Sequence, residues 1–312
     1  MITTNSAGLR AARIIFASAV VGFFTALFFY EADVFWQDTG FVFGVALVTS
    51  FYGLSWSRVG RLHHLYWHKN SAIGLARLGV IASVLWCAYV LSLHADPTIT
   101  GIWTVLYALM AFAAIKFFGQ LWAEFFGPRL RIDVYERKNL AAAIFIAAFT
   151  LATGMIFGGA MWGSMTAESL EYGSIFEVLP GYEDGWWITP WFFLMGWTIL
   201  ALTQWLWIRR EKANFADRIV RDHRINDAKA AAGFCLSNAV IITYAVHGDY
   251  HGFGDSLFGF SLIALPVLAH ELMRPRTPDE VSRDGEWWVY IVVALGSVLL
   301  MPWLSTWLGL RL

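Results

Sequence analysis

Long apolar runs alternate with short polar connectors along the whole chain. Nine stretches have membrane-crossing length, at approximately 12–30, 40–56, 71–93, 99–123, 140–162, 187–208, 228–247, 255–272 and 287–308. A hydrocarbon core about 30 Å thick needs about 20 mostly apolar residues in a helix. Backbone polar groups at that depth must bond to one another, which a helix achieves within a single segment. The expected fold class is therefore all-α, a polytopic membrane protein of about nine transmembrane helices. The first stretch follows Arg10 and Arg13, as in a signal peptide, but no small-residue cleavage site comes after it. It reads as a retained helix.

The basic residues supply an orientation. Of the 22 Lys and Arg, 19 fall on one side of this nine-span arrangement. They lie before the first span, at Arg58, Arg61 and Lys69, between Arg129 and Lys138, between Arg209 and Lys229, and between Arg274 and Arg283. Arg311 falls on the other side, and Arg77 and Lys116 fall inside spans. Basic connectors stay cytoplasmic, so the N-terminus is expected inside and the C-terminus outside. The longest outer connector, about 163–186, carries Glu168, Glu171, Glu177, Glu183 and Asp184 and no Lys or Arg. Trp186, Trp187, Trp191, Trp287, Trp288, Trp303 and Trp307 gather at span ends, where an indole suits the headgroup boundary.

Composition agrees with this picture. The chain of 312 residues is 58% hydrophobic, 17% aromatic and 14% charged, with net charge -1. A soluble domain carries about 25% charged residues, so soluble, disordered and nucleic-acid-binding classes are excluded. Cys87 and Cys235 stand in apolar runs with no paired spacing and read as small buried hydrophobes.

The chain also repeats itself. Residues 66–73 read Tyr-Trp-His-Lys-Asn-Ser-Ala-Ile, and residues 135–142 read Tyr-Glu-Arg-Lys-Asn-Leu-Ala-Ala. Asn70 and Asn139 are 69 residues apart, and a weaker third copy places Asn226 a further 87 along. The unit is an inward span, a basic connector, an Asn and an outward span rich in small residues. Four such hairpins in parallel orientation account for spans two to nine. Asn70, Asn139 and Asn226 are expected to cap their helices. Ala141, Ala142, Gly154, Gly158 and Gly233 are expected to let neighbouring helices approach closely. This divides the chain into an N-terminal span with its outer loop (1–39), a divergent hairpin (40–98), a core of two hairpins (99–250) and a C-terminal hairpin (251–312).

The segment Glu136-Arg137-Lys138-Asn139-Leu140-Ala141-Ala142-Ala143, followed by a Gly-rich span, resembles the YjfL-like bacterial inner-membrane proteins, whose repeated domain has no assigned function. The second copy of their motif would run from Asn226 to Gly233, with Asp227 and Lys229 as departures. The resemblance covers about 99–250. It implies a multi-pass protein of the bacterial inner membrane without assigned catalytic chemistry, with some relatives associated with envelope stress.

Few residues offer chemistry. Lys116, Gln120 and Glu124 share one helix face by their spacing of four, and with Arg77 they could line a polar pathway or meet a lipid headgroup. Gln204, Ser237, Asn238 and Thr243 read as hydrogen-bonding glue between helices. A proton or ion relay would want several mid-span carboxylates, and the spans contain none, which speaks against a proton-coupled pump. No metal site is expected. His94 and His247, with His251 nearby, are the candidates for a haem, although no cofactor is predicted. P-loop, Gly-x-Ser-x-Gly and His-Glu-x-x-His motifs are absent.

The leading expectation is a non-catalytic structural or scaffold subunit of a membrane complex. Its partners would be the bilayer, other membrane subunits or a second copy, and anionic lipids at the cytoplasmic face. The alternatives are an ion or small-solute channel or transporter, with Arg77, Lys116, Gln120 and Glu124 on its path, and a haem-binding redox subunit.

Overall fold

The computed structural model describes residues 71–95, 99, 102–163, 188–211, 214–247, 253–274, 276–277 and 284–308. The first two predicted spans, Asn70, His251 and the acidic connector from 164 to 187 lie outside the described residues. Within them the chain is helical, and there is no strand. We number the helices α1 (Ser71–Leu93), α2 (Ile102–Ala113), α3 (Leu140–Met161), α4 (Ile188–Arg210), α5 (Phe215–Val220), α6 (Ile225–Ala245), α7 (Phe253–Ser261), α8 (Ala264–Met273) and α9 (Glu286–Leu308). π-Helical segments at Ala114–Leu121 and Leu130–Glu136, with a 3-10 turn at Glu124–Phe126, connect α2 to α3.

Five helices are long and apolar enough to cross a membrane: Ser71–Leu93, Trp103–Phe126, Leu140–Met161, Thr189–Arg210 and Ile225–Ala245. The predicted stretch 255–272 is not one helix. It breaks at Leu262–Ile263 into α7 and α8, where Leu262 N donates to Gly259 O and Ile263 N to Phe260 O. Pro266 follows four residues after Leu262. It has no N–H for the Leu262 carbonyl, and its ring crowds that oxygen.

α3 is the central helix, with α1 and α6 packed against it. Small residues permit this at each crossing. A Cβ on Gly79 would lie 2.6 Å from Ala147 O, and one on Gly159 would lie 2.7 Å from Thr243 O. Gly154 meets Ser83, Gly158 meets Trp86, and Gly233 of α6 meets Trp287 of α9. The close approach brings polar groups of α1 onto α3 carbonyls. Ser83 Oγ donates to Thr150 O at 3.1 Å, Trp86 Nε1 to Met155 O at 3.2 Å and Cys87 Sγ to Gly154 O at 3.4 Å. The small-residue faces of Gly154, Gly158 and Gly233 are thus occupied by helices of the same chain.

Asn139 caps α3. Its Oδ1 accepts from Ala142 N at 3.1 Å, while Nδ2 donates to Ile219 O at 2.7 Å. Asn226 does not cap α6, contrary to expectation. Arg224 holds the cap position without a side-chain bond, and Asn226 is the second residue of the helix. The local geometry explains the misplacement. Lys138 and His223 both have positive φ, 54° and 53°. Asn139 N donates to Asp133 O, and Arg224 N donates to Arg218 O. Asn139 therefore corresponds to Arg224, 85 residues on, and matching Asn139 to Asn226 shifts the register by two residues. In this register Asp133 corresponds to Arg218, and Ala142 to Asp227.

Candidate functional site

The register substitution puts charge where the first hairpin has none to spare. Asp133 is satisfied locally, by Arg129 N at 2.7 Å and Arg137 Nη1 at 3.3 Å. Arg218 is instead buried and reaches outward. Its Nη1 donates to Glu211 Oε2 at 2.8 Å, its Nε to Asp227 Oδ2 at 2.9 Å and its Nη2 to Asp227 Oδ1. Asn214 holds α5 in place for this, accepting from Ala216 N at 3.2 Å. Asp227 lies in the first turn of α6, where the helix dipole favours a carboxylate. Glu211 extends the last turn of α4, its N–H donating to Trp207 O.

Two further helices complete the cluster. His270 of α8 points its Nε2 at Glu211 Oε1, 3.7 Å away, and its Nδ1 at Tyr290 Oη of α9, 3.1 Å away. Tyr290 Oη donates to Glu286 Oε1 at 2.7 Å. All six of these side chains are buried. Trp207 and Phe234 wall the imidazole, with ring centroids 5.2 Å and 5.8 Å from it. Ion pairs cover the exposed rim: Arg210 Nε meets Glu271 Oε1 at 2.7 Å, and Arg274 Nε meets Glu271 Oε2 at 3.0 Å.

The electrostatics of this cluster are unbalanced. Arg218 serves both Glu211 and Asp227, while Glu286 accepts from Tyr290. Isolated charge in an apolar setting is costly and drives protonation. Burial pushes the Glu211 carboxyl above the usual carboxylate range, with Arg218 pulling the other way and Glu286 and Asp227 adding to the rise.

Two buried amides lie deeper. Gln204 of α4 and Asn238 of α6 are each 0% exposed, and neither amide has a hydrogen-bond partner among the described residues. The interhelical glue expected of them is not formed. At a rise of about 1.5 Å per residue, Gln204 stands roughly 10 Å from Glu211 along α4, and Asn238 roughly 16 Å from Asp227 along α6. Thr243 is a third polar residue on α6, with its Oγ1 buried.

The residues singled out by sequence are partly brought together. Lys116 Nζ donates to Gln120 Oε1 at 2.9 Å within the first π-helical segment. Arg77 is close enough to Lys116 for the two charges to interact. Glu124 has turned away, and its Oε1 accepts from Leu130 N at 3.1 Å. The π-helical widening and the 3-10 turn after it break the spacing of four on which the predicted stripe relied. His94 and His247 both pack against Trp162, with centroids 3.9 Å and 6.1 Å away. His94 lies flat on the indole, and its Nε2 pairs with Tyr89 Oη at 2.8 Å. Among the described residues no group of three or more His, Cys, Asp or Glu is arranged to hold a metal ion.

The buried cluster is not among the residues the sequence singled out. His270 and Tyr290 are a lone histidine and tyrosine inside predicted spans, and the three carboxylates stand at span ends. Their position flush with those ends, within one helical turn of a span, is the signal that was available. Comparison with family models, curated proteins and solved structures gives no match.

Proposed function

We propose that this chain is a multi-pass protein of the bacterial inner membrane that conducts protons, with the cluster of Glu211, Arg218, Asp227, His270, Glu286 and Tyr290 as its working centre. The burial of this hydrogen-bonded set of titratable groups carries the reading. His270 lies within a predicted span, where an ionisable group is expensive and marks an ion or proton pathway by default, and Glu211 and Glu286 connect to it from span ends. The amides of Gln204 and Asn238, without hydrogen-bond partners among the described residues, support a continuation of the path toward the opposite face. In this reading nine spans cross the bilayer, the first alone and the other eight as four parallel hairpins. The basic connectors around 129–138 and 209–229 support a cytoplasmic position for the cluster.

The channel or transporter class is preferred to a scaffold because the small-residue faces that suggested partners are filled by the chain's own helices. The test is reconstitution into liposomes containing a pH-sensitive dye, with a potassium diffusion potential imposed. The protein should acidify the interior faster than protein-free liposomes do. Equal rates would end this reading.

A further inference from the structure

The geometry points to a proton wire running from Glu211 Oε1 through His270 and Tyr290 to Glu286 Oε1. It rests on the reading of the cluster as the proton-handling centre, and it names the groups and their order.

The direction of each hydrogen bond carries the inference. Tyr290 Oη lies 2.7 Å from Glu286 Oε1. An ionised carboxylate can only accept, so the phenol donates to it. The Tyr290 oxygen then accepts from His270 Nδ1 at 3.1 Å, and Nδ1 carries the imidazole hydrogen. A neutral imidazole protonated at Nδ1 has a bare lone pair on Nε2. That lone pair faces Glu211 Oε1 at 3.7 Å, and neither atom has a hydrogen-bond partner among the described residues. Two buried acceptors face each other, and one shared proton would satisfy both.

The neighbouring charges are already committed. Arg218 of α5 spends its donors on Glu211 Oε2 and on Asp227 of α6. Arg210 at the end of α4 pairs with Glu271 of α8, as does Arg274 beyond it. On the remaining side Lys229 pairs with Asp284 at 2.8 Å, at the exposed edge of α6. The Trp207 indole lies beside His270, with ring centroids 5.2 Å apart, and its N–H has no proton to exchange at physiological pH.

The transfer balances. A proton on Glu211 Oε1 passes to His270 Nε2, the Nδ1 hydrogen passes to the Tyr290 oxygen, and the phenolic hydrogen passes to Glu286 Oε1. Glu211 loses one proton and Glu286 gains one. Imidazole and phenol finish neutral, with the imidazole in its other tautomer.

Infrared difference spectroscopy of the full chain in lipid nanodiscs tests this between about pH 4 and about pH 8, a range running from ordinary carboxyl titration upward through values raised by burial. The wild type should show the C=O stretch of a buried neutral carboxylic acid that disappears in Glu211→Gln. In Tyr290→Phe the Glu211 band should persist, and the pH-dependent band assigned with Glu286→Gln should be lost. Nitrogen-15 spectra of His270 in the wild type, which need no variant to fold, should show Nε2 in a hydrogen bond. A folded wild type with no buried carboxylic band at either pH would overturn the wire, as would a His270 Nε2 without a hydrogen bond. A band without proton flux leaves the wire and removes the transport reading; flux without the band does the reverse.

Discussion

Arg218 grips Asp227 through two parallel contacts, Nε to Oδ2 and Nη2 to Oδ1, across nine residues of sequence. The fork fixes α5 against the first turn of α6, and both side chains are almost fully buried. Removing Arg218 takes the shared donor away from two buried carboxylates, Glu211 and Asp227, and breaking a buried pair this way costs about 3–5 kcal/mol. Arg218→Met and Asp227→Leu should each lower the melting temperature of the purified protein sharply. The double variant should recover only part of the loss, because Glu211 still lacks the Arg218 guanidinium. Equal, small effects from all three would show that the pair does not hold the turn.

Helix contact on the central helix makes a second prediction. A Cβ on Gly79 would meet the Ala147 backbone at 2.6 Å, whereas one on Gly74 has nothing within 4 Å among the described residues. Gly79→Ala should cost about 1–3 kcal/mol through overpacking. Gly74→Ala should be neutral or stabilising by about 0.5–1 kcal/mol, since alanine favours the helix. Thermal melting of the two variants side by side gives the comparison.

The two roles of Asn139 can be separated. Asn139→Ala loses both the cap to Ala142 and the tie to Ile219, and should cost about 1–3 kcal/mol. Asn139→Asp keeps an acceptor for Ala142 N but turns an oxygen toward Ile219 O, so it should not rescue full stability. Asn226→Ala should stay within about 0.5 kcal/mol. A large loss at Asn226 would restore it as the cap.

Stability should also depend on pH through Glu211. Its folded carboxyl titrates above the ordinary value of 4.5, chiefly because it is buried. Folding therefore favours the neutral form. That contribution is present below 4.5 and is lost as pH rises through the raised value. The wild-type melting temperature should fall over this rise, and Glu211→Gln, neutral throughout, should flatten the slope. An unchanged slope in the variant would assign the pH dependence elsewhere.

Hydropathy located the described helices well, because one strong physical demand, a satisfied backbone in an apolar medium, dominates the pattern. Features that depend on one residue's local geometry were less legible. Pro266 splits a continuous apolar stretch, and π-helical turns move Glu124 off the face of Lys116 and Gln120. Asn226 looked like the partner of Asn139, but the positive-φ residues Lys138 and His223 set the true register. The cluster escaped for a related reason. Glu211, Asp227 and Glu286 look like ordinary end charges until the helices bring them to one place. Periodicity along a single helix carries no record of which ends meet.

Proton flux in liposomes with His270 replaced tests the central claim most directly. His270→Phe keeps an aromatic ring among Trp207, Phe234 and Tyr290 but has no nitrogen to carry a proton. If the cluster is the working centre, the variant should melt cooperatively, as the wild type does, and its flux should fall by at least about tenfold, at or below the usual scale for losing a positioned proton-transfer group. Wild-type flux from a folded His270→Phe protein would contradict it.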